Sequence, residues 1–271
     1  MNLMDHPTVS IAAFLLPAAR INNNTRRNMQ IGLRYSSTLP DTPSGDMLLG
    51  VASRSSWHAV GKQIGTTLIS VYKTFSQSGR VKLSSPNWRD EPIVEFNLLS
   101  DDRDLLRLMD GFRLTAKAHQ DLALKNLAID PFAASYSDKV RQVGAINKTN
   151  AFLTATLARL LDGPDYLRQY LLKKFVKDAP PIEVLLQDET QLERFIRTAA
   201  VGVWHASCTC KMGDKNNQHA VTDPSGRVIG IQRLRVVDAS IFPVVPSANT
   251  NLPVLMTAEK MADAILATPP A

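Results

Sequence analysis

Apolar residues occur along the first hundred positions in short runs that are separated by turn-forming residues. The run VSIAAFLL is followed by the alternating runs MQIGLRY, MLLGVAS and TLISVYK, and then by RVKL and IVEFNLL. Alternation of apolar and polar residues is typical of strands, because successive side chains of a strand point to opposite faces of the sheet. The connections SQSGR and SSPNWRDEP are typical of hairpins. This region therefore predicts an antiparallel sheet.

Beyond these strands, the spacing of apolar residues becomes that of α-helices. The stretch DDRDLLRLMDGFRLTAKAH has its apolar residues on one helical face and aspartates in its first turn, where the helix dipole favours negative charge. Helical spacing then predominates to about Ala200. A helix is predicted to begin at Asp188, where Gln191 completes a capping-box-like start. The pattern places Val203 on the apolar face of this helix and His205 at or just beyond its end.

The C-terminal part predicts a turn at TDPSG, a buried strand at LRVVDAS, a proline-marked loop and a final helix. In open α/β sheets, nucleotides and their phosphates bind where strand ends lead into helix N-termini. The pattern places Asn249 and Asn251 near such a position. The apolar face of the final helix is predicted to contain Val254, Leu255, Ala258, Met261, Ala262, Ile265 and Leu266.

Composition and charge narrow the class of protein. The chain has 271 residues, 44% of them hydrophobic and 21% charged, which is typical of a folded globular protein. The net charge is +6, but the basic residues are spread out, whereas nucleic-acid-binding proteins usually concentrate them on one element. The apolar run from Val9 to Ile21 is too short to span a bilayer and contains Pro17. We expect a cytoplasmic protein with no nucleic-acid partner and no membrane segment.

The stretch VGVWHASCTCKMG contains residues that are suited to several kinds of chemistry. His205 can act as a general base, His205 with Cys208 and Cys210 can hold a metal ion, or the two cysteines can do redox chemistry. Structural zinc sites and redox motifs both favour cysteines that are spaced more widely than these two. We therefore expect no metal at the cysteines. The residues alone leave His205 as either a general base or a hydrogen-bonded core histidine.

The same stretch begins a longer pattern that resembles the C-terminal signature of the glucose-methanol-choline (GMC) family of FAD-dependent oxidoreductases. That signature has a histidine, a Gly-Thr-Cys-x-Met-Gly turn, and the segments Val-x-Asp-Pro, Leu-Arg-Val-x-Asp-Ala-Ser and Asn-Thr-Asn-x-Pro. The chain contains WHASCTCKMG, AVTDPSG, LRVVDAS and ANTNLP in that order. NLMDHPTV resembles the family's Asn-Leu-x-Asp-His segment, and GRVKLSSPNWRDEPIVEFNLLSDDRDLLRLMDGFR resembles the start of its substrate domain. Cys208 stands where the family usually has glycine, so we expect a differently shaped turn.

The resemblance implies a flavoenzyme that oxidises the CH–OH group of a small-molecule alcohol by hydride transfer to FAD. It implies that His205 is the general base, since imidazole titrates near working pH. It implies that Asn249 donates a hydrogen bond to the alcohol oxygen as negative charge develops there. Trp204 is expected to line the substrate side of the flavin. The residues expected at FAD are Asn2, Asp238, Ala239, Thr250 and Asn251.

The resemblance also implies the fold class, α+β. We expect an antiparallel-sheet substrate domain with flanking helices, plus the C-terminal strand and helix of an FAD-binding α/β domain. Residues 1–50 are expected to border the FAD site and lead into the substrate domain, 51–200 to form the substrate domain, and 201–271 to form the catalytic and FAD-domain C-terminal segment. The family's Gly-x-Gly-x-x-Gly fingerprint does not occur in this sequence. An N-terminal FAD-binding half, missing from this sequence, is therefore an expected partner.

Two alternatives stay open at this point. The chain can be a non-catalytic subunit that needs the FAD-binding half, or it can belong to the flavin-bearing hydroxynitrile lyases that share the family's fold. The ANTN stretch differs from the His-Pro pattern of those lyases, which favours the alcohol oxidoreductase.

Overall fold

A computed structural model of the chain describes residues 2–22 and 27–267. The chain forms two compact units. Unit 1 consists of Met1–Pro7, Tyr72–Asp104 and Gly202–Ala271, and unit 2 consists of Thr8–Val71 and Leu105–Val201.

Strands and helices are both present, as the sequence predicts. The strands are β1 (Pro7–Leu15), β2 (Met29–Tyr35), β3 (Met47–Ala52), β4 (Ile64–Val71), β5 (Arg80–Lys82), β6 (Ile93–Glu95), β7 (Ala128–Ala134) and β8 (Val201–Gly202). The α-helices are α1 (Asp102–Ala118), α2 (Leu122–Lys125), α3 (Asp138–Gly144), α4 (Lys148–Leu161), α5 (Asp165–Leu171), α6 (Ile182–Gln187), α7 (Glu189–Ala199) and α8 (Asn251–Leu266). A π-helix covers Leu172–Val176, and short 3-10 helices cover Pro17–Ala19, Val60–Gln63 and Ala239–Ile241.

The sheet of unit 2 has the strand order β2-β3-β4-β1-β7, and each of these neighbours is antiparallel. Strand β1 lies between β4 and β7, so that Ile11 is opposite both Thr67 and Ala133. A strand with neighbours on both sides and a covered surface is apolar without alternation. This position explains why β1 has the sequence PTVSIAAFL and is buried almost throughout.

Helix α1 packs on this sheet through the apolar face that its sequence predicts. Gly111 permits the close approach, because a Cβ atom at this position would lie 2.7 Å from a methyl group of Ile69. The ring of Phe112 contacts that of Phe195 in α7, with centroids 5.7 Å apart. The residues predicted to share this face are all buried: Leu105, Leu108, Met109, Phe112 and Ala116.

Helix α7 begins as predicted but ends earlier. The side chain of Asp188 accepts a hydrogen bond from the backbone N–H of Gln191, 3.1 Å away, and caps the helix. The helix ends at Ala199, because Ala200 adopts an extended conformation that leads into β8. The prediction that Val203 belongs to the apolar face of this helix is therefore wrong.

The predicted buried strand at LRVVDAS does not form. Residues 234–240 make one isolated bridge, Arg227 with Arg235, and Leu234 and Val237 are exposed. An apolar run becomes a buried strand only where neighbouring strands continue its ladder and cover its faces. Among the described residues, this segment has no such neighbours beyond the single bridge.

The final helix α8 is confirmed, but its predicted apolar face is only partly covered. Met261 is buried, whereas Leu255 and Leu266 are exposed to 56% and 83%. Across residues 2–22 and 27–267, no helix has the length and apolar content needed to cross a membrane.

Candidate active site

His205 lies beside a second histidine, His6, in unit 1. The Nδ1 atoms of the two rings are 2.9 Å apart, which is a hydrogen-bond distance. The rings meet edge to face, with centroids 5.1 Å apart and an interplanar angle of 87°. His6 is fully buried, whereas His205 is partly exposed. One ring of the pair is therefore enclosed and the other is partly open to solvent.

The carboxylate of Asp5 holds the backbone around both histidines. Its Oδ1 accepts hydrogen bonds from the backbone N–H groups of His6 (2.7 Å), His205 (3.1 Å) and Val203 (3.2 Å). Gly202 permits this arrangement, because a Cβ atom there would overlap the Asp5 carboxylate. Asp5 thus ties the N-terminal segment to the stretch that carries His205.

Burial shifts the pKa values of Asp5 and His205 in the directions that favour their neutral forms. Burial raises the pKa of Asp5 above its ordinary value, since the N–H bonds and His205 only partly offset the loss of water. Burial lowers the pKa of His205 below its ordinary value, and the negative charge of Asp5 opposes this shift. At neutral pH, His205 is therefore in the neutral form that can accept a proton.

Tyr72 connects Asn249 to the same cluster. Its ring stacks on that of His6, with centroids 4.3 Å apart and an interplanar angle of 5°. Its hydroxyl donates a hydrogen bond to Oδ1 of Asn249 at 2.8 Å. This bond leaves the amide NH2 of Asn249 without a partner among the described residues, and the residue is exposed. The structure thus brings both residues of the expected catalytic pair into one connected cluster, which we call the His6–Tyr72 cluster (His6, Tyr72, His205 and Asn249).

The chain around His205 contains two residues with left-handed backbone angles. Trp204 has φ +62° and is 83% exposed, and Cys208 has φ +73° and is buried. This region favours glycine. Cys208 stands where the GMC pattern has glycine, and it adopts a φ that glycine favours; that the turn differs in shape from the family's stays a prediction. Burial raises the pKa of the Cys208 thiol to about 11, which keeps it protonated and unreactive at neutral pH.

The candidate metal site that the cysteine spacing suggested is not assembled. Among the residues that the structure describes, the group with ligand atoms close enough to share an ion is Asp5, His6 and His205, within 4.8 Å of one another. Neither Cys208 nor Cys210 belongs to it, and both are free thiols. The Nδ1 atoms of His6 and His205 lie within hydrogen-bond distance of each other, and Oδ1 of Asp5 accepts bonds from backbone N–H groups. That the chain holds no metal stays a prediction.

Three of the residues expected at FAD lie at the starts of helices. Thr250 precedes α8 without capping it through its side chain, and Asn251 is the exposed first residue of that helix. Asp238 is exposed and caps the 3-10 helix that begins at Ala239, by accepting a bond from the N–H of Ser240 at 2.7 Å. An uncapped helix N-terminus and an exposed carboxylate and amide suit the polar edge of a flavin. These residues therefore fit the expected cofactor.

Asn2 has a different position from the other expected cofactor residues. It is buried, and its Nδ2 donates to the backbone oxygens of Cys208 (3.1 Å) and Pro243 (3.3 Å). The amide therefore ties the N-terminal segment to the turn after His205 and to the loop before Asn249. A contact between Asn2 and the cofactor stays a prediction.

The local sequence pattern assigns no role to Asp5, His6 or Tyr72. The first two belong to the NLMDH segment that carries part of the GMC resemblance, so their place in that motif was a signal that they lie near the site. Tyr72 follows β4 directly, and nothing in its neighbourhood along the chain distinguishes it from a residue at the end of an ordinary strand.

Comparison with known proteins identifies the family. The GMC oxidoreductase family model matches residues 75–258. The 5-(hydroxymethyl)furfural oxidase of Methylovorus sp. (strain MP688) is 37% identical over 279 residues, which cover 98% of this chain and 43% of the relative. The mitochondrial choline dehydrogenase of Homo sapiens is 32% identical over 191 residues, which cover 70% of this chain and 24% of the relative.

Solved structures share the fold at low sequence identity. A formate oxidase variant from Aspergillus oryzae RIB40 aligns with a TM-score of 0.68 at 18% identity, covering 98% of this chain and 47% of that one. Pyridoxine 4-oxidase from Mesorbium loti aligns with a TM-score of 0.66 at 17% identity, covering 99% of this chain and 44% of that one. The chain spans less than half the length of these relatives. The shared fold confirms the predicted α+β class. The family model covers more than half of the chain. The chain therefore belongs to the GMC family of FAD-dependent oxidoreductases.

Proposed function

We propose that His205 and Asn249 are the catalytic pair of an FAD-dependent enzyme that oxidises the CH–OH group of a small-molecule alcohol. The observation that carries this proposal is the His6–Tyr72 cluster, which joins a partly exposed imidazole to an exposed amide through two further rings. The names of the relatives support the substrate class, since 5-(hydroxymethyl)furfural and choline are both alcohols.

In this proposal, His205 removes the hydroxyl proton of the alcohol. Oxidation takes a hydride from carbon and a proton from oxygen, so the oxygen needs a base. The lowered pKa of His205 keeps its ring neutral at neutral pH, and the nearby Asp5 carboxylate stabilises the ring after it has taken the proton. FAD, when bound, supplies the hydride acceptor.

Asn249 is proposed to stabilise the alcohol oxygen as it loses its proton. The Tyr72 hydroxyl holds Oδ1 of the amide, so the NH2 group is the part left to donate. A donor that is fixed before the reaction stabilises developing negative charge without first having to reorganise. The exposed indole of Trp204 is proposed to contact the apolar part of the substrate.

The cofactor is proposed to lie against Asn2, Asp238, Ala239, Thr250 and Asn251. These residues provide a carboxylate, a hydroxyl, an amide and helix N–H groups. We further propose that an FAD-binding region outside this chain completes the active flavoenzyme, since the chain covers 43% of the relative from Methylovorus sp..

The test of the base is His205→Ala in the complete flavoenzyme. Loss of a general base should reduce kcat by about 10²-fold or more, with unchanged flavin absorbance per protein. His219, which is exposed, provides the matched control, since His219→Ala should keep the activity. Turnover by His205→Ala within a few-fold of the parent enzyme at every pH would show that His205 is structural.

The test of the amide is Asn249→Ala in the same enzyme. Removal of such a donor typically lowers kcat by about 10²–10³-fold, and KM should change little. Asn249→His should keep more activity, because histidine can also donate a hydrogen bond. Asn251→Ala should weaken flavin retention rather than kcat. Loss of kcat in Asn251→Ala with full kcat in Asn249→Ala would reverse the two assignments.

A further inference from the structure

The surroundings of His6 fix which of its nitrogens carries the ring proton. Nε2 of His6 is 2.9 Å from the carbonyl oxygen of Pro246. A carbonyl oxygen can only accept a hydrogen bond, so Nε2 must donate. A neutral imidazole has a single ring proton, and Nδ1 of His6 is therefore an acceptor.

This acceptor determines the tautomer of His205. Nδ1 of His205 lies 2.9 Å from Nδ1 of His6, so it must carry a proton and donate it. Neutral His205 then has its lone pair on Nε2, which has no hydrogen-bond partner among the described residues. Free histidine side chains favour the opposite tautomer, with the proton on Nε2. The cluster thus reverses the ordinary preference.

We propose that His6 is a positioning residue that holds His205 in the Nδ1–H tautomer and so directs the basic Nε2 atom to the alcohol. This inference rests on the proposed function of His205. It names a role for a residue 199 positions away in the sequence that would not touch the substrate.

The neutral state of His6 follows from its burial. Its side chain has no exposed surface, and a charged ring without access to water is costly. Tyr72 stacks on one face of the ring at an angle of 5° and restrains its plane. Asp5 binds the backbone N–H groups of both histidines and so fixes the distance between them.

The same arrangement suits His205 before and after proton transfer. When Nε2 takes the hydroxyl proton, Nδ1–H still donates to His6, and this hydrogen bond becomes stronger because its donor is now charged. No ring has to rotate and no second proton has to move. An apolar side chain that only filled space at position 6 would not provide this acceptor.

The first test reads the tautomers directly. Long-range ¹H–¹⁵N correlation spectra of the ¹⁵N-histidine-labelled chain distinguish protonated from unprotonated ring nitrogens, and with five histidines the signals can be assigned from single variants. Above the pH at which His205 titrates, we expect a proton on Nδ1 of His205 and on Nε2 of His6. A proton on Nε2 of His205, or protons on both nitrogens of His6, would overturn the proposal.

The second test removes the acceptor. His6→Phe keeps a ring that can stack on Tyr72 but has no nitrogen, so His205 should revert to the Nε2–H tautomer. In the complete flavoenzyme, kcat should fall by about 10- to 10²-fold with little change in KM. His6→Asn should restore the Nδ1–H tautomer and most of kcat, because its Oδ1 can accept the same hydrogen bond.

The control is His119→Phe, which alters another buried histidine that lies in unit 2. It should change neither the His205 spectrum nor kcat. An unchanged kcat and an unchanged Nδ1–H tautomer in His6→Phe would contradict the proposal. Failure of His6→Asn to restore either property would do so as well.

Failure of this inference can be told apart from failure of the proposed function. If His205 is not the base, His205→Ala keeps its activity while the spectrum of the parent chain still shows Nδ1–H. If His205 is the base but His6 does not set its tautomer, His205→Ala is inactive and the spectrum shows Nε2–H.

Discussion

Two buried carboxylates of this chain, Asp46 and Asp5, have opposite surroundings. Asp46 forms an ion pair with Arg107 at 3.0 Å, with both side chains fully buried, and it accepts two hydrogen bonds from Ser37. Burial acts to raise its pKa, but the bonds from Ser37 and Arg107 together hold the pKa below its ordinary value. Asp5 faces imidazole rings and backbone N–H groups instead, and burial raises its pKa.

The difference separates an ion pair that holds the fold from a site that can exchange a proton. A buried acid with a full counter-charge is fixed in one charge state. An acid whose charged neighbour is a titratable imidazole lies in a cluster whose total charge can change by one proton, as acid–base chemistry requires. The same residue type thus forms an ion pair in unit 2 and, in the function that we propose, belongs to the catalytic cluster in unit 1.

The strongest test of this comparison is Arg107→Leu. It leaves the Asp46 charge buried without a counter-charge, which typically lowers the free energy of unfolding by about 3–5 kcal/mol. Arg113, on the same helix, forms an exposed pair with Glu189 at 3.3 Å, and Arg113→Leu should change the free energy by less than about 0.5 kcal/mol. Urea denaturation of the chain measures both values. Equal effects of the two substitutions would contradict the structural role of the buried pair.

The next test uses the opposite directions in which the pKa values of the two carboxylates are displaced. The pKa of Asp46 lies below 3.8 in the folded chain, so its ionisation adds stability that is present above that pH and is lost as pH falls. The pKa of Asp5 lies above 3.8, so its ionisation removes stability as pH rises from 3.8 through the raised value.

The measurement is the free energy of unfolding of the parent chain minus that of Asp46→Asn, and minus that of Asp5→Asn, between about pH 3 and 6. The first difference should grow with increasing pH and the second should shrink. Slopes of the same sign would remove the contrast between the two sites.

The comparison extends to the backbone. Arg107 lies within the regular helix α1, whereas Cys208, three residues after His205, has φ +73°. Cys208→Gly should therefore be more stable than Cys208→Ala by about 1 kcal/mol, because only glycine escapes the left-handed penalty. At the adjacent buried Ser207 the order should reverse, with alanine the more stable. Thermal or urea unfolding of the four variants gives the values, and alanine above glycine at both positions would show that the turn is unstrained.

The smallest effect is expected in the pH profile of the complete flavoenzyme. The pKa of His205 is lowered from 6.5 by burial, and the base is active when unprotonated, so kcat/KM should fall only below that pH. The loss at pH 6 should be less than about tenfold. Asp5→Asn removes a negative charge that raises the pKa of His205 and should move the acid limb to lower pH. An acid limb above pH 6.5 would contradict this assignment.

The fold could be predicted where local periodicity determines it. The strands before Ser100, helix α1 and the start of α7 follow from spacing and caps that lie within each segment. Strand β7 could not be predicted in this way. Its sequence AIDPFAA contains a proline and Asp130 has a left-handed φ. Its partner β1 lies more than a hundred residues earlier in the chain. The prediction of a strand at LRVVDAS was wrong for the converse reason, because an apolar run carries no information about whether partner strands lie beside it.

The candidate site could be predicted only through its resemblance to a family. That resemblance supplied roles for His205 and Asn249, and their local pattern alone did not. The link from His205 to His6 crosses 199 positions and has no counterpart in sequence spacing. The tautomer depends on the backbone oxygen of Pro246, a group that every residue type has, so no amino-acid pattern could reveal it.

That backbone oxygen has an evolutionary consequence. Replacement of Pro246 by another amino acid leaves a backbone carbonyl in the chain at this position. Substitutions there should therefore have little effect on the hydrogen bonds of the histidine pair. Insertion or deletion of one residue between Pro243 and Asn249 would displace the oxygen and alter the registration of the loop. Homologous chains that keep both histidines should therefore vary in the identity of residue 246 while they preserve the length of the loop around it.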